Sequence, residues 1–216
     1  MDKKYAIFDF DGTLVDSMPY WQMEERNFLT QRGVTAPEEM DATSERIKPL
    51  GILEASEVMV RRFRFPDDPK EVAAGFVAAM SVRYRESIPA KDGAREYLDA
   101  LKRAGVRMGV ASGTGAELIE ACLRRLGMRD YFEFALSCLD VGAGKDRPDI
   151  YFAAARRLGA NPAEIAVYED SAIAMRTVKG AGFYGVGVYD AQGAAHWDEL
   201  QALADESLSD WRGARL

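Results

Sequence analysis

Short apolar runs recur along the chain at 5–8 (YAIF), 106–111 (VRMGVA), 132–136 (FEFAL), 164–169 (EIAVYE) and 183–189 (FYGVGVY). Runs of this kind read as strands buried on both faces, as in a parallel sheet. Stretches with helical spacing of apolar positions alternate with them, at 94–105, 115–128, 149–160 and 171–182. Each of these has a glycine at its last or next-to-last position, a common helix stop. Strand–helix alternation predicts a doubly wound, Rossmann-like α/β domain around a parallel sheet. The interval from Asp16 to Ile88 breaks the rhythm, with amphipathic helical segments near 19–32, 52–64 and 69–86, a turn around Phe65–Pro69, and no convincing strand. The pattern therefore predicts an α/β core built from residues 1–15 plus 89–216, with an all-helical module at 16–88 inserted after the first strand.

With 216 residues, the chain is long enough for one good core and a smaller second module. The net charge of −7 argues against a nucleic-acid partner, which needs a basic face, and against an anionic membrane surface. No apolar run approaches the length of a membrane helix, and Asp9 and Asp11 interrupt the one behind Lys3 and Lys4. Cys122 and Cys138 form no C-x-x-C pair and read as reduced thiols. A cytoplasmic protein is expected.

Four stretches carry chemistry, and all four follow predicted strands. The first is DFDGTLVDS at 9–17. Along an extended chain Asp9 and Asp11 would point one way and Phe10 into the core, and Gly12 lets the backbone turn tightly. Paired carboxylates repel, so a divalent cation or a proton must offset them. An EF-hand loop does not fit, because its glycine belongs at the sixth position and here it is the fourth from Asp9. The second stretch, VASGTG, offers the Ser112 hydroxyl and the Gly113 and Thr114 N–H groups near a helix start, which suits an anion but also describes an ordinary loop. The third, GAGKDRPDIY, presents Lys145 in a glycine-rich loop before a helix; it could neutralise phosphate or simply be solvated. The fourth, VYEDS, places Glu169 and Asp170 after a buried strand, as ligands for a hard cation such as Mg²⁺ or as part of a helix cap. In an open α/β sheet, ligands sit outside the carboxyl ends of the strands, so the four stretches share one edge.

In this order, DFDGTLVDS, VASGTG, the GAGKDRPDIY lysine and VYEDS resemble the four motifs of the haloacid dehalogenase superfamily. The helical insert is similar to that family's C1 cap, as in its β-phosphoglucomutase-like phosphatases. The resemblance implies a Mg²⁺-dependent phosphatase of a small phosphorylated metabolite. Asp9 would be the nucleophile that forms an aspartyl-phosphate, and Asp11 the general acid and then the base for water. Ser112 and Lys145 would hold the transferring oxygens, with Gly113 and Thr114 at the substrate. Mg²⁺ would be held by Asp9, the Asp11 backbone carbonyl and Asp170, with Glu169 as ligand or just behind. Many members carry a further acid where this chain has Ala174. The cap would select the substrate through a loop around Lys48–Glu54, with Lys48 and Glu54 as contacts and Tyr20 and Trp21 at the entrance. The family also leads one to expect a monomer.

The main rival is a sugar-phosphate mutase using the same aspartyl-phosphate chemistry. Mutases of this family carry a cap histidine a dozen positions after the nucleophile. Here that position is Trp21, and the single histidine, His196, is far along the chain and reads as a surface or helix-start residue. A phosphonate-cleaving relative would need a cap lysine, for which Lys48 is the candidate. A dehalogenase has little use for Asp11, and a response-regulator receiver lacks the helical insert.

Overall fold

A computed structural model describes residues 3–47 and 50–214. In chain order the elements are β1 (Tyr5–Phe8), α1 (Met18–Gln31), α2 (Pro37–Ile47), α3 (Ile52–Phe63), α4 (Pro69–Glu86), α5 (Ala94–Arg103), β2 (Arg107–Ser112), α6 (Ala116–Arg125), β3 (Ala135–Ser137), α7 (Cys138–Val141), α8 (Asp149–Leu158), β4 (Ile165–Glu169), α9 (Ala172–Gly180), β5 (Tyr184–Val188), α10 (Trp197–Leu203) and β6 (Glu206–Leu208). The chain divides into two compact units, Met1–Ser17 with Ile88–Leu216, and Met18–Ser87.

The first unit is a six-stranded sheet in the order β3-β2-β1-β4-β5-β6, every pair parallel. Strand order reverses at β1, which lies between β2 and β4, and that is where a doubly wound sheet opens its ligand crevice. β1 is central because its residues suit burial on both faces: Ala6, Ile7 and Phe8 have no exposed surface. Ile7 packs among Val167, Ile150, Tyr151 and Met175 on one face. On the other, the Phe8 ring stacks on Tyr168, centroids 4.3 Å apart. The register explains the pairing, since Phe8 lies beside both Val110 and Tyr168.

Two differences from the sequence reading concern this sheet. The expected strand at 132–136 is assigned at Ala135–Ser137 instead, after a short 3₁₀ turn at Arg129–Tyr131, although Glu133 N still donates to Met108 O and Phe134 O accepts from Val110 N. The sequence pattern also passed over β6, Glu-Ser-Leu, whose first two residues are polar and exposed; only its pairing with β5 identifies it as a strand.

The second unit is α1–α4. Its core joins Ile47, Ala55, Met59, Val72 and Phe76, with Trp21 and Phe28 packed against it. α2 was not anticipated, although Met40, Thr43 and Ile47 are its buried positions at helical spacing, after Pro37 and two acids in the first turn. The segments that lead into and out of this unit pair with each other: Asp16 N donates to Pro89 O (3.0 Å) and Lys91 N to Leu14 O (2.9 Å).

Candidate active site

Every β-strand ahead of a sequence motif ends at the same edge, and the loops carry their side chains together. Asp9 follows β1 and donates its N–H to Tyr168 O (2.9 Å), which seats it beside the end of β4. The chain then turns at once, with the N–H groups of Leu14 and Val15 both donating to Phe10 O. Gly12 has φ +75°, and a Cβ there would lie 2.3 Å from Asp170 Oδ2. Glycine is needed twice over, for the positive φ and for the approach of the β4 loop.

The Asp9 carboxylate, the terminal residue Glu169 of β4 and Asp170 offer oxygens all within 4.8 Å of one another. Lys145, from the loop before α8, makes ion pairs with Asp9 and with Glu169 Oε1 (2.6 Å). Asp9 is 6% exposed and Glu169 fully buried. The Tyr151 hydroxyl, from α8, donates to the same Glu169 Oε1 (2.7 Å). Glu169 Oε2 has no hydrogen-bond partner among the described residues. An unpartnered buried carboxylate oxygen is costly unless a cation meets it.

The electrostatics agree. Burial, reinforced by Glu169 and only partly opposed by Lys145, pushes the Asp9 carboxyl well above the usual range. Burial, with Glu169 and Asp190 nearby, raises Asp170 to about 7. Burial alone would discharge Lys145, but Asp9 and Glu169 outweigh it and hold the ammonium well above its ordinary pKa. One lysine faces three acids. An oxygen-only, net-negative cluster of this kind fits a hard divalent cation such as Mg²⁺.

Asp11 serves a different set of partners. Its Oδ1 accepts from the Ser17 hydroxyl (2.7 Å), and its Oδ2 from Thr114 Oγ1 (2.7 Å) and Ser112 Oγ (3.3 Å). The extended strand expected to carry Asp9 and Asp11 stops short of both. The strand ends at Phe8, and the turn gives each carboxylate its own neighbours. Ser112 also caps its loop by accepting from Thr114 N (3.1 Å), and Gly113 is exposed at the loop tip. Thr114, expected at the substrate, lies beside Asp11, to which its hydroxyl donates.

The structure thus brings Asp9, Asp11, Ser112, Thr114, Lys145, Glu169 and Asp170 to one sheet edge. Trp21 and Glu54 belong to the helical unit. Trp21 packs against that unit's core and donates its indole N–H to Tyr84 (3.3 Å), and Glu54 is exposed in the first turn of α3. Lys48 lies outside the described residues. Sequence reasoning passed over Tyr151, Thr13 and Ser17. Thr13, which donates to Asp170 Oδ1 (3.3 Å), and Ser17 sit inside the first motif, where a hydroxyl among acids was the available signal. Nothing in the sequence marks Tyr151, a helix residue among apolar neighbours.

The family model for haloacid dehalogenase-like hydrolases matches residues 3–182. The chain belongs to that family. Hexitol phosphatase B of Escherichia coli K12 is 29% identical over 207 residues, covering 94% of this chain and 90% of that one. The fructose-1-phosphate phosphatase YqaB of the same organism is 27% identical over 196 residues, covering 87% and 98%. CbbY of Rhodobacter sphaeroides, crystallised with xylulose-(1,5)bisphosphate, shares the fold with a TM-score of 0.79 at 24% identity, over 98% of this chain and 96% of that one. The chain is an enzyme of the phosphoric monoester hydrolase class, in keeping with these relatives. Among the described residues no helix is long and apolar enough to cross a membrane.

Proposed function

We propose that this haloacid dehalogenase-like hydrolase is a Mg²⁺-dependent phosphatase of small phosphorylated sugars or polyols, acting through an aspartyl-phosphate on Asp9. The observation that carries the reading is the buried Asp9–Lys145–Glu169–Asp170 cluster, with its unpartnered Glu169 oxygen. The names of the curated relatives support the substrate class.

An Asp9 oxygen attacks phosphorus and the bond to the ester oxygen breaks. The departing alkoxide takes a proton from Asp11. Water then attacks phosphorus, gives its proton to Asp11, and the Asp9–phosphorus bond breaks to release phosphate. Asp9 needs no base when ionised; its difficulty is meeting a dianion. Lys145 and the Ser112 hydroxyl lower that repulsion by holding phosphoryl oxygens, the larger part of the work in phosphoryl transfer. Asp9, the Asp11 carbonyl, Asp170 and Glu169 would hold Mg²⁺, which supplies further charge neutralisation at the transferring group. Ser17 and Thr114 keep Asp11 in place. The mutase alternative would need a proton-transferring group where Trp21 stands, and Trp21 is packed among apolar residues of the helical core.

Phosphate release measured with and without Mg²⁺ over sugar phosphates, polyol phosphates, nucleotides and pyrophosphate tests the reading, with Asp9→Asn as blank. Release from sugar or polyol phosphates that requires Mg²⁺ and vanishes in Asp9→Asn is expected. Near-full activity of Asp9→Asn would sink the mechanism, and release from nucleotides alone would sink the substrate class.

A further inference from the structure

The segment after β6 returns to the first motif. Tyr189 N donates to Leu208 O (2.9 Å), and three residues on Trp211 is buried, 3% exposed. Its indole N–H donates to Thr13 O (2.9 Å), across 198 positions of sequence. The ring lies 5.2 Å from Tyr97, 5.6 Å from Tyr168 and 6.1 Å from Phe8. The backbone around it is closely seated, since a Cβ on Gly93 would come within 3.0 Å of Arg212 N and 3.2 Å of Trp211 C. The Arg212–Asp92 pair beside it is exposed and adds little.

Three of these four neighbours of the indole stand next to the acid cluster. Phe8 precedes Asp9, Tyr168 precedes Glu169, and the Thr13 hydroxyl donates to Asp170. We propose that Trp211 is a positioning residue of the active site: one rigid side chain from the C-terminal segment fixes the strand ends and the loop that hold Asp9, Glu169 and Asp170. An indole N–H can only donate, so its bond to Thr13 O sets the orientation of both groups. Small displacements of reacting groups are costly to rate, which is why such a tie acts on turnover more than on substrate affinity.

The inference deepens the phosphatase reading and rests on it. Its test compares Trp211→Phe, which keeps an aromatic ring but loses the N–H, with Trp197→Phe. Trp197 is a second tryptophan of the same unit, packed edge-on to Tyr189 (5.3 Å). For Trp211→Phe, kcat is expected to fall about tenfold with KM changed less than about twofold, and the half-saturating Mg²⁺ concentration to rise several-fold. Trp197→Phe is expected to lower the melting temperature while leaving kcat and the Mg²⁺ requirement at wild-type values. Wild-type kcat and Mg²⁺ response in Trp211→Phe, or equal losses in both variants, would overturn the proposal. If Trp211→Phe does not fold, the double variant Trp21→Phe/Trp197→Phe decides, because Trp211 is then its only indole. A fluorescence change that saturates with Mg²⁺ supports the tie and a silent signal overturns it. A wild-type protein that releases no phosphate from any substrate refutes the phosphatase reading instead, and the Mg²⁺ titrations still judge Trp211.

Discussion

Replacing Lys145 with methionine removes the cation among the described residues that pairs with both Asp9 and Glu169, and keeps a side chain of similar reach. At 2.6 Å and an effective dielectric of about 20, one such charge pair has a gross attraction of about 6 kcal/mol. Desolvation of the lysine offsets much of this, and removing one partner of a buried pair costs a net of about 3–5 kcal/mol. The upper part of that range is expected here, because Glu169 is fully buried and the acids left behind lie within 4.8 Å of one another. For a unit of this size, about 3–5 kcal/mol is a fall in melting temperature of roughly 6–20 °C. The loss should depend on pH. The Asp9 and Asp170 carboxyls are raised in the folded state, so the folded protein binds more protons than the unfolded one and stability falls as pH rises above the unfolded value near 3.8. Removing the lysine raises both further and carries the fall to higher pH. Thermal melts of metal-free wild type and Lys145→Met at pH 5 and pH 8 measure this. A large gap at pH 8, a smaller one at pH 5 and partial recovery with Mg²⁺ are expected. A gap equal at both pH values, or none at pH 8, would refute the claim that the lysine offsets mutual repulsion among buried acids.

Two further expectations follow from the same cluster. Gly12→Ala places a Cβ 2.3 Å from Asp170 Oδ2 at a residue with φ +75°, so besides about 1–2 kcal/mol of backbone cost it should displace an acid of the proposed Mg²⁺ site. A Mg²⁺ titration of activity should show a several-fold higher requirement, and an unchanged requirement would mean Asp170 is not a ligand. If Asp170 holds Mg²⁺ as proposed, protons compete with the cation for its carboxyl, which burial raises to about 7. The half-saturating Mg²⁺ concentration should therefore rise about five-fold from pH 7 to pH 6 and level off above pH 8, and titration calorimetry in two buffers should detect the released proton.

The strands that hold the site were legible because each is a local apolar run ending in chemistry. YAIF before Asp9 and IAVYE with Asp170 just beyond it can be read from a handful of adjacent residues. Hydroxyls inside a quoted motif, such as Ser17, were within reach on the same grounds. Elements that exist through pairing were not. β6 has neither alternation nor a buried run, and becomes a strand only because β5 offers an open edge. α2 shows the opposite failure: its buried stripe of Met40, Thr43 and Ile47 has helical spacing, but a threonine at the middle position hid it. Tyr151 and Trp211 lie further out of reach. One looks like any core residue of an amphipathic helix, the other like a stray aromatic near the terminus, and only the folded chain shows the atoms they meet.

The two residues point to a common design. A buried site with three acids and one lysine is at odds with itself, since its metal-free form holds repelling charges in a low-dielectric pocket. Left unsupported, such a loop would relax by separating the carboxylates. Here Tyr151 ties Glu169 to α8 from one face of the sheet, and Trp211 braces Phe8, Tyr168 and Thr13 from the other. Clamped between them, the acids stay close enough to share the proposed Mg²⁺, and the repulsion that burial creates would become affinity for that cation.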